Sequence, residues 1–475
     1  MRKFEYLTAS RLRRGYESGE IDPVRVAELI LEKVAEWDAE EYPLRAFLAQ
    51  RAEDVLEMAH QSRERYSRKA PLGPLDGVPV AVKDELLQKG YPTTVGTSFL
   101  GGEPERKDAT AVASLRKAGA VLLGKTNMHE VGIGITGINP HHGPARNPYN
   151  MERITGGSSS GSAAAVAAGL CPIALGADGG GSVRIPAALC GVVGLKPTYG
   201  RVSDHGVYPL CWSVAHVGPL AASIEDAATV LEVIAGIDTK DSNTSVQPPF
   251  SVEYPVGFPL PDLRIGICRS FFDDADDEVT SKCRSVVQKL EDAGATVVDV
   301  DIPYLDLVRP VQYVTIGVEM AAALYEHRRY HKTDFGCDTR VFLETASSVP
   351  AVDYVRAQRL RTRIARSFKS ALAKVDVLVS PTTARTATPI RPEALGDGES
   401  DQEVLEVMTA FSFAANVTGL PAITVPAGYD KDGMPIGLQL MGKAWSEAML
   451  LGVGAEVELL IELRRPQRYL DIFSK

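Results

Sequence analysis

The sequence predicts an α/β fold in which helices cover both faces of a sheet, and two observations support this class. Short apolar stretches with the length of buried strands alternate with helical patterns along most of the chain. A helix that ends at a glycine and is followed by a strand also occurs in two separate places. Strands this apolar need helices on each side of the sheet to remove them from water.

The first elements of the chain are predicted to be helical. Asp22-Pro23 is typical of an N-cap followed by a proline in the first turn, and apolar residues recur at helical spacing up to about Asp38. A polar helix is predicted from about 52 to 65. The apolar stretch 77–82 then predicts a short strand, which places Lys83 at its carboxyl end.

Two helix–strand units come later in the chain. In the first, Asp108 is predicted to cap a helix that Gly119 ends, and residues 120–123 form the strand. In the second, a helix ends at Gly294 and residues 296–300 form the strand. Further short apolar strands are predicted at 173–175, 265–267, 375–379, 422–425 and 436–440.

The second half of the chain contains a polar, proline-rich segment and a helical region. Residues 238–263 are predicted to form a surface linker or long loop. Residues 304–374 have a mostly helical pattern, and the arginines spread around it predict a solvated face. The length of 475 residues by itself suggests two or three domains. The arginines in question are Arg356, Arg359, Arg361, Arg363 and Arg366.

Composition and charge exclude several classes of protein. A hydrophobic content of 45% and a charged content of 24% are ordinary for a soluble globular protein. The formal net charge of −10 argues against a nucleic-acid partner, which usually requires a basic face. No apolar run approaches the ~20 residues of a membrane span. The N-terminus lacks the apolar region of a signal peptide, so we expect a cytoplasmic location.

The six cysteines are scattered along the chain without C-x-x-C spacing. Such a distribution predicts neither a disulfide framework nor a zinc site, and most of these cysteines are expected to be small buried apolar residues. The sequence therefore gives no reason to expect a metal or a cofactor.

Two clusters rich in glycine and serine lie between Thr155 and Ala187. The first contains Ser158, and the second runs from Asp178 to Ser182. Dense glycine beside hydroxyl groups lets the backbone approach a ligand and turn its N–H groups towards it. The stretch therefore predicts an active site, but a serine nucleophile also needs a base within hydrogen-bond reach.

Two well-known motifs match this stretch poorly. Ser159 formally occupies the nucleophile position of a G-x-S-x-G elbow, but no buried strand precedes it. Three histidines fall in stretches that could line a pocket, His129, His205 and His216, and none has a recognisable triad context. A phosphate-binding loop would require a G-K-[ST] ending that the glycine run lacks.

A lysine is the alternative base. Lysine accepts a proton only as the neutral amine, a form that burial and neighbouring cations favour. Lys83 follows an apolar strand, where its amine would be removed from water. Taken alone, a lysine in such a place is usually an ordinary surface residue, so its interest depends on the serine clusters.

The chain resembles the amidase signature family in five motifs that are spread along its length. Five specified glycines at ~7% usage each coincide on the order of once in a million, so the match is specific. The resemblance covers roughly residues 5–472, and the motif variants are most similar to the branch that contains plant-type fatty acid amide hydrolases and related bacterial amidases. The motifs are GPLDGVPVAVKD at 73–84, GKTNMHE at 124–130, GGSSSGS at 156–162, GADGGGSVRIP at 176–186 and GLPAITVP at 419–426.

The resemblance implies a fold as well as a class of enzyme. It implies a single domain over residues 1–475, an α/β/α sandwich around a large twisted mixed, mostly parallel sheet. This replaces the several domains that length suggests. The first 66 residues or so would form an N-terminal helical segment, and the family needs no metal or cofactor.

By motif position, the resemblance implies a catalytic set of Lys83, Ser158 and Ser182. Ser182 would be the nucleophile. Ser158, held in a cis peptide in the family, would relay the proton between Ser182 and neutral Lys83. Asp178 and Arg184 would brace the loop. The oxyanion hole would consist of the backbone N–H groups of Gly179, Gly180, Gly181 and Ser182.

The remaining serines of the first cluster and two departures from the family pattern have predicted consequences. Ala177 stands where the family commonly has a hydroxyl that braces the loop. Thr409 falls about where glutamine-using amidotransferase subunits carry an acidic residue for the substrate's amino group. If that alignment holds, glutamine is not expected to be a substrate. Helix capping is predicted for Ser159, Ser160 and Ser162.

The segments that line the acyl pocket in relatives are apolar in this chain and contain small residues. Such a wall suits a hydrophobic acyl or aryl group better than a charged one. The resemblance therefore predicts a hydrolase that cleaves amide bonds of small hydrophobic molecules, with esters and carbamates as further substrates. The predicted pocket residues are Met128, Gly132, Ile133, Ile135, Leu210 and Trp212.

Three other functions remain open from the sequence. The chain could be a partner-dependent amidotransferase-type subunit that uses ammonia or glutamine, or a non-catalytic subunit that keeps the motifs for structure. A nucleotide-binding protein that uses the glycine loops is the third possibility. As an enzyme, the chain is expected to be a monomer or a homodimer.

Overall fold

The structure, a computed structural model, describes residues 4–252, 257–396, 398 and 401–474. These residues contain thirteen strands, and eleven of them form one sheet that takes strands from almost the whole chain. The strands are β1 (Phe47–Ala49), β2 (Pro79–Lys83), β3 (Val121–Thr126), β4 (Arg146–Asn147), β5 (Asn150–Ile154), β6 (Ile173–Ala177), β7 (Val193–Lys196), β8 (Val217–Ala221), β9 (Arg264–Ile267), β10 (Thr296–Asp299), β11 (Val377–Pro381), β12 (Ala422–Tyr429) and β13 (Pro435–Gly442).

Sixteen α-helices within the described part of the chain surround this sheet. They are α1 (Ala9–Ser18), α2 (Pro23–Asp38), α3 (Ala52–Ser67), α4 (Thr110–Lys117), α5 (Ser160–Ala167), α6 (Arg184–Cys190), α7 (Ile224–Ile234), α8 (Arg269–Phe272), α9 (Asp277–Asp292), α10 (Val308–Ala323), α11 (Tyr325–Tyr330), α12 (Cys337–Ser347), α13 (Ala351–Leu372), α14 (Gln402–Thr409), α15 (Phe413–Thr418) and α16 (Glu447–Leu459). None of the helices in the described ranges is long and apolar enough to cross a membrane.

The large sheet is mixed, with the strand order β1-β3-β2-β6-β8-β7-β12-β13-β11-β9-β10. The α/β class and the mixed sheet are confirmed, but the expectation of a mostly parallel sheet is wrong. Among the described residues, four strand pairings are parallel and six are antiparallel. The antiparallel pairs lie mainly in the middle, because β8 and β12 run opposite to β6, β7 and β13.

Alternating residues of the buried strands point into two different cores. Val80 and Val82 of β2 belong to a cluster that includes residues of α4, α7 and α16. Ala81, between them, belongs to a second cluster with residues of α2 and α5. Because side chains of a strand alternate between the two faces, both faces of β2 are covered by helices. This explains why residues 79–82 of β2 are all apolar.

Most of the predicted elements are confirmed within a few residues of their predicted ends. Helix α2 ends at Asp38, and the carboxylate of Asp22 accepts hydrogen bonds from the backbone at its first turn. The prediction that Asp108 caps α4 is wrong. Its carboxylate instead binds the guanidinium of Arg116 and the backbone N–H of Lys89, so Ala109 occupies the N-cap position.

The helical region that was predicted at 304–374 is confirmed as α10 to α13. The prediction that its arginines form a solvated face is wrong for Arg361, whose guanidinium is bound to other parts of the protein. The guanidinium of Arg361 donates to the carbonyl oxygens of Val417 and Ser213, at 2.8 and 2.7 Å, and to the Ser213 hydroxyl. The reason is that α13 packs against the loop that carries Ser213, which sequence periodicity cannot indicate.

The predicted linker at 238–263 is only partly described, and residues 253–256 of it lie outside the described residues. Its first part is held against the body of the protein. Asp241 accepts a hydrogen bond from the backbone of Asp204, and Gln247 donates to the carbonyl of Gly200. The N-terminal segment contains a strand as well as helices, since β1 pairs with β3. That one domain spans residues 1–475 stays a prediction.

Candidate active site

The candidate site lies at the carboxyl ends of two neighbouring parallel strands, β2 and β6. Lys83 is the last residue of β2, and Ala177 is the last residue of β6. The carboxyl ends of parallel strands meet at one edge of a sheet. The fully buried Nζ of Lys83 therefore reaches the Ala177 carbonyl at 3.2 Å, and it also lies 2.8 Å from Oγ of Ser158.

Ser158 lies in the loop between β5 and α5. The peptide bond between Gly157 and Ser158 is cis. The Ser158 carbonyl accepts a hydrogen bond from the His129 backbone, and the next residue, Ser159, donates its N–H to the Ser182 carbonyl at 3.2 Å. These bonds join the two glycine–serine clusters to each other and to the segment that follows β3. Ser182, with 6% of its surface exposed, lines the same cleft as Ser158.

A buried ion pair supports the second cluster. The guanidinium of Arg184 binds both carboxylate oxygens of Asp178, at 3.0 and 2.9 Å. The same oxygens accept the backbone N–H groups of Gly181 and Val183, at 2.7 and 3.1 Å. Burial alone would raise the pKa of Asp178, but the charge and hydrogen bonds of Arg184 outweigh it and hold this pKa below its usual value.

The contact between Gly181 and Asp178 removes one of the four predicted oxyanion donors. Since the Gly181 N–H already donates to Asp178, it is not free for a ligand. The carbonyl of Gly179 accepts Nε2 of Gln312 at 2.5 Å. The Gly179 carbonyl and the Gly180 N–H belong to the same trans peptide and point in opposite directions. The Gly180 N–H is therefore directed away from Gln312. The expected donor set is thereby reduced to Gly179, Gly180 and Ser182.

The walls of the cleft are largely apolar, and it encloses about 610 Å³ of empty space, part of it open to solvent. Four of the predicted pocket residues line it, namely Gly132, Ile133, Ile135 and Leu210. Gly132 lies at a narrow part of the cleft, between Ser158 and Leu210. A Cβ on Gly132 would lie 3.5 Å from both Ser158 Oγ and Leu210 Cδ1.

Met128 and Trp212 do not line the cleft, so these two predictions are wrong. Met128 is fully buried behind the wall, where it packs in a cluster that includes Val131 and Leu210. Trp212 is 46% exposed, whereas its neighbour Cys211 faces the cleft. Membership of a segment that lines the pocket in relatives does not determine the direction of each side chain in an irregular loop.

One wall of the cleft is formed by helices α10, α12, α14 and α15, and of its lining residues the sequence indicated only Thr409. In α10 the lining residues are spaced three and four apart, as one helix face requires. That spacing is visible in the sequence, but it cannot be distinguished from the spacing of an ordinary core face. The lining residues on these helices that sequence reasoning missed are Tyr313, Ile316, Met320, Phe342, Leu405 and Phe413.

Glu85 is a further lining residue that the sequence reasoning missed. Its Oε2 lies 2.8 Å from Nζ of Lys83, and the side chain is only 6% exposed. Glu85 directly follows the lysine motif at 73–84 and forms an acidic pair with Asp84, so a signal was present in the sequence. Asp84 differs from Glu85 in that its carboxylate accepts the backbone N–H groups of Thr94 and Gly96.

Histidines are not among the residues that line the cleft. His129 is buried beside it, and burial lowers its pKa to about 4, so it is neutral. Burial also lowers the pKa of His216, whose Nδ1 lies 2.8 Å from the Val214 carbonyl. A histidine base for Ser159 therefore has no structural support. Within the described ranges, no group of three or more His, Cys, Asp and Glu side chains could hold a metal ion.

The other serines of the first cluster do not cap α5 through their side chains, so that prediction is wrong. Ser159 occupies the N-cap position, but its hydroxyl donates towards the Ala177 carbonyl. The hydroxyl of Ser160 donates to the Asn127 carbonyl, and that of Ser162 donates to the Leu175 carbonyl. These bonds join the start of the helix to the neighbouring strands.

The family of the chain follows from comparison with known proteins. A family model described as amidase matches residues 28–451. The molecule is therefore an enzyme of the amidase class. More particularly, the chain belongs to the amidase signature family of hydrolases.

The chain is similar to curated relatives in two groups of this family. The chain is 41% identical to a fatty acid amide hydrolase of Oryza sativa subsp. japonica, over 99% of this chain and 79% of the relative. It is 39% identical to a fatty acid amide hydrolase of Arabidopsis thaliana, with the same coverage. It is also 37% identical to a glutamyl-tRNA(Gln) amidotransferase subunit from Koribacter versatilis, over 95% of this chain and 98% of the relative.

Solved structures share the fold over nearly the whole chain. The native peptide amidase of Stenotrophomonas maltophilia has a TM-score of 0.84 and 33% identity, and the match covers 97% of this chain and 98% of that one. A glutamyl-tRNA(Gln) amidotransferase subunit from Thermotoga maritima has a TM-score of 0.78 and 29% identity, over 94% of this chain and 93% of that one.

Proposed function

We propose that the chain is a serine hydrolase that cleaves the C–N bond of hydrophobic acyl or aryl amides through an acyl-enzyme intermediate. The observation that carries the proposal is the position of two serines in one apolar cleft, with the Ser158 hydroxyl 2.8 Å from the fully buried amine of Lys83. A buried lysine amine can serve as a base for a hydroxyl group that it contacts.

In the first half-reaction, Ser182 acts as the nucleophile. Neutral Lys83 accepts the proton of Ser158, which in turn takes the proton of Ser182 as its Oγ attacks the carbonyl carbon. The N–H groups of Gly179, Gly180 and Ser182 stabilise the oxyanion, and each such donor is worth ~3 kcal/mol. The C–N bond then breaks, and the amine leaves with the proton that the relay returns through Ser158.

In the second half-reaction, water replaces Ser182 on the acyl group. Ser158 and Lys83 accept the water proton as its oxygen attacks the acyl carbon, and the relay then returns a proton to Ser182 as the ester bond breaks. The products are the carboxylic acid and the amine. Esters and carbamates would follow the same path, because the same tetrahedral intermediate forms from each of them.

The apolar wall supports hydrophobic substrates. Helix α10 contributes Ile316 and Met320, and α12 and α15 contribute Phe342 and Phe413. No lysine, arginine or histidine is among the lining residues, and the one carboxyl side chain there, that of Glu85, contacts the amine of Lys83. An anionic acyl group would therefore lose its hydration in this cleft without finding a counter-ion among the lining residues.

A partner-dependent amidotransferase subunit is the alternative, and the relatives of that name support its consideration. One residue argues against it. Thr409, which lines the cleft, donates its hydroxyl to the Leu405 carbonyl at 2.8 Å and carries no charge for a substrate amino group. If the alternative is correct, the purified chain will release ammonia from glutamine and will not hydrolyse anilides of hydrophobic acids.

The test is labelling of the purified chain with a fluorophosphonate, together with hydrolysis of N-acyl 4-nitroanilides of different acyl lengths. Ser182→Ala should abolish both labelling and turnover, because it removes the nucleophile. Ser162→Ala is the matched control, since the Ser162 hydroxyl bonds the Leu175 carbonyl outside the cleft. Turnover that survives in Ser182→Ala, or a wild-type chain that is not labelled, would contradict the proposal.

A further inference from the structure

The amine of Lys83 has three acceptors around it, and one of them is a carboxylate. Ser158 Oγ and Glu85 Oε2 each lie at 2.8 Å from Nζ, and the Ala177 carbonyl lies at 3.2 Å. An ammonium group has three N–H donors, so each acceptor can take one. A neutral amine has two N–H groups and one lone pair. With Glu85 and Ala177 accepting the two N–H groups, the lone pair is directed at the Ser158 hydroxyl.

The other titratable groups near Lys83 do not compete with Glu85. His129, before the 3₁₀ turn that follows β3, is neutral because burial lowers its pKa to about 4. Burial raises the pKa of the Cys211 thiol well above its usual value, so it also stays neutral. Asp178, after β6, is bound by Arg184 through both of its oxygens.

Charged groups on the other packed elements are also engaged elsewhere. Lys125 of β3 donates to the Leu86 carbonyl and lies 3.5 Å from Asp84. Glu319 of α10 accepts both the backbone N–H and the hydroxyl of Ser213. Among the residues that the structure describes, Glu85 is therefore the anion in ion-pair contact with the amine of Lys83.

We propose that Glu85 is a positioning residue for Lys83, which orients the amine towards Ser158 and sets the lower pH limit of activity. The inference rests on the function proposed above, because it assigns Glu85 a role only if Lys83 acts as the base. An ionised carboxylate at this distance stabilises the ammonium form. Lys83 can accept the proton of Ser158 only as the neutral amine, a form that a neighbouring carboxylate disfavours.

The two roles of Glu85 can be separated by substitution. Glu85→Gln removes the charge but keeps an oxygen that accepts from the amine. It should shift the acid limb of the pH–rate profile to lower pH by about one unit or more, a tenfold gain in relative rate on that limb. Glu85→Ala removes both, so its acid limb should shift in the same direction while its plateau rate falls about tenfold or more. Glu85→Asp, which keeps a carboxylate, should retain an acid limb closer to that of the wild type.

The experiment measures the second-order rate of fluorophosphonate labelling, and kcat/KM for an N-acyl 4-nitroanilide, from pH 5 to 10 for each variant. Glu319→Gln is the control, because it removes a buried carboxylate beside the cleft that does not contact Lys83; its acid limb should stay in place. Thermal unfolding identifies any variant that fails to fold; if Glu85→Gln does not fold, the shift of the acid limb is read from Glu85→Ala instead.

Two failures are distinguishable. If folded neutral variants of Glu85 keep the acid limb of the wild type, the role of Glu85 is wrong while the proposed hydrolase stands. If the wild-type chain is not labelled at any pH, or Ser182→Ala is still labelled, the proposed function itself is wrong. A shift of the limb without a lower plateau in Glu85→Ala would overturn the orienting role and leave the electrostatic one.

Discussion

Asp178 shows how much of the site depends on one buried carboxylate. Its two oxygens accept the guanidinium of Arg184 and the N–H groups of Gly181 and Val183. A buried ion pair adds little net stability, but removing one partner leaves an uncompensated charge. The carboxylate therefore fixes the shape of the loop that carries Ser182.

We expect Asp178→Asn to destabilise the protein by about 3 to 5 kcal/mol, because it leaves the charge of Arg184 buried without its partner. The measurement is the free energy of unfolding in urea, with the slope checked for two-state behaviour. The double variant Asp178→Asn with Arg184→Met serves as the control and should recover part of the loss. Equal stability of the single variant and the wild type would show that the ion pair does not support this loop.

At the scale of elements, helix α10 both covers the cleft and holds the loop from Asp178 to Ser182. Tyr313, Ile316 and Met320 face the cleft. The preceding residue, Gln312, is fully buried and donates to the Gly179 carbonyl at 2.5 Å. A helix that is remote in sequence thus contacts the backbone of the loop that carries Ser182, and its packing can affect the reaction without touching the substrate.

We expect Gln312→Ala to lower kcat for an anilide by about 10- to 100-fold while KM changes by less than about threefold. The reason is that the Gly179–Gly180 peptide loses the bond that orients it, and the proposed donors act mainly on the oxyanion. Gln358→Ala is the control, since Gln358 of α13 donates to the Thr315 hydroxyl and does not line the cleft. A rise in KM with kcat unchanged would instead indicate a role in substrate binding.

At the scale of the whole molecule, the last helix packs against the middle of the chain. The carboxylate of Glu458, near the end of α16, accepts the backbone N–H of Ile224 at the start of α7. Burial, with a smaller contribution from Glu225, raises the pKa of Glu458 to about 7. A carboxyl group with a raised pKa stabilises the fold most when it is protonated.

This linkage predicts a stability that depends on pH. Glu458 contributes fully to the free energy of unfolding below the pKa that its carboxyl group has in the unfolded chain, about 4.5. This contribution is lost as the pH rises through the pKa of the folded state, about 7. Glu458→Gln keeps an acceptor for Ile224 without the charge, so it should be more stable than the wild type at pH 8 by about 1 to 2 kcal/mol and equal to it near pH 4. Urea unfolding at both pH values is the measurement, and a constant difference between them would contradict the prediction.

The sequence predicted the elements of the fold better than their arrangement. Helix α2 and strands β2, β6 and β12 follow from local patterns, because capping residues and apolar periodicity act within a few residues. The direction of β8 between β6 and β7 does not follow in this way, since it depends on how distant segments pair. The mostly parallel sheet, which the family resemblance implied, is contradicted by these pairings.

By itself, the sequence determined the α/β class, the family and the segments that form the candidate site, because the motifs that carry Lys83, Ser158 and Ser182 are local patterns of glycine, serine and apolar residues. Only the tertiary structure decided which groups surround them. It paired Glu85 with Lys83, engaged the Gly181 N–H with Asp178, turned Trp212 outward and closed the cleft with helices from the second half of the chain. The physical reason is that side-chain direction and helix packing depend on contacts between residues far apart in sequence, and local patterns do not contain that information.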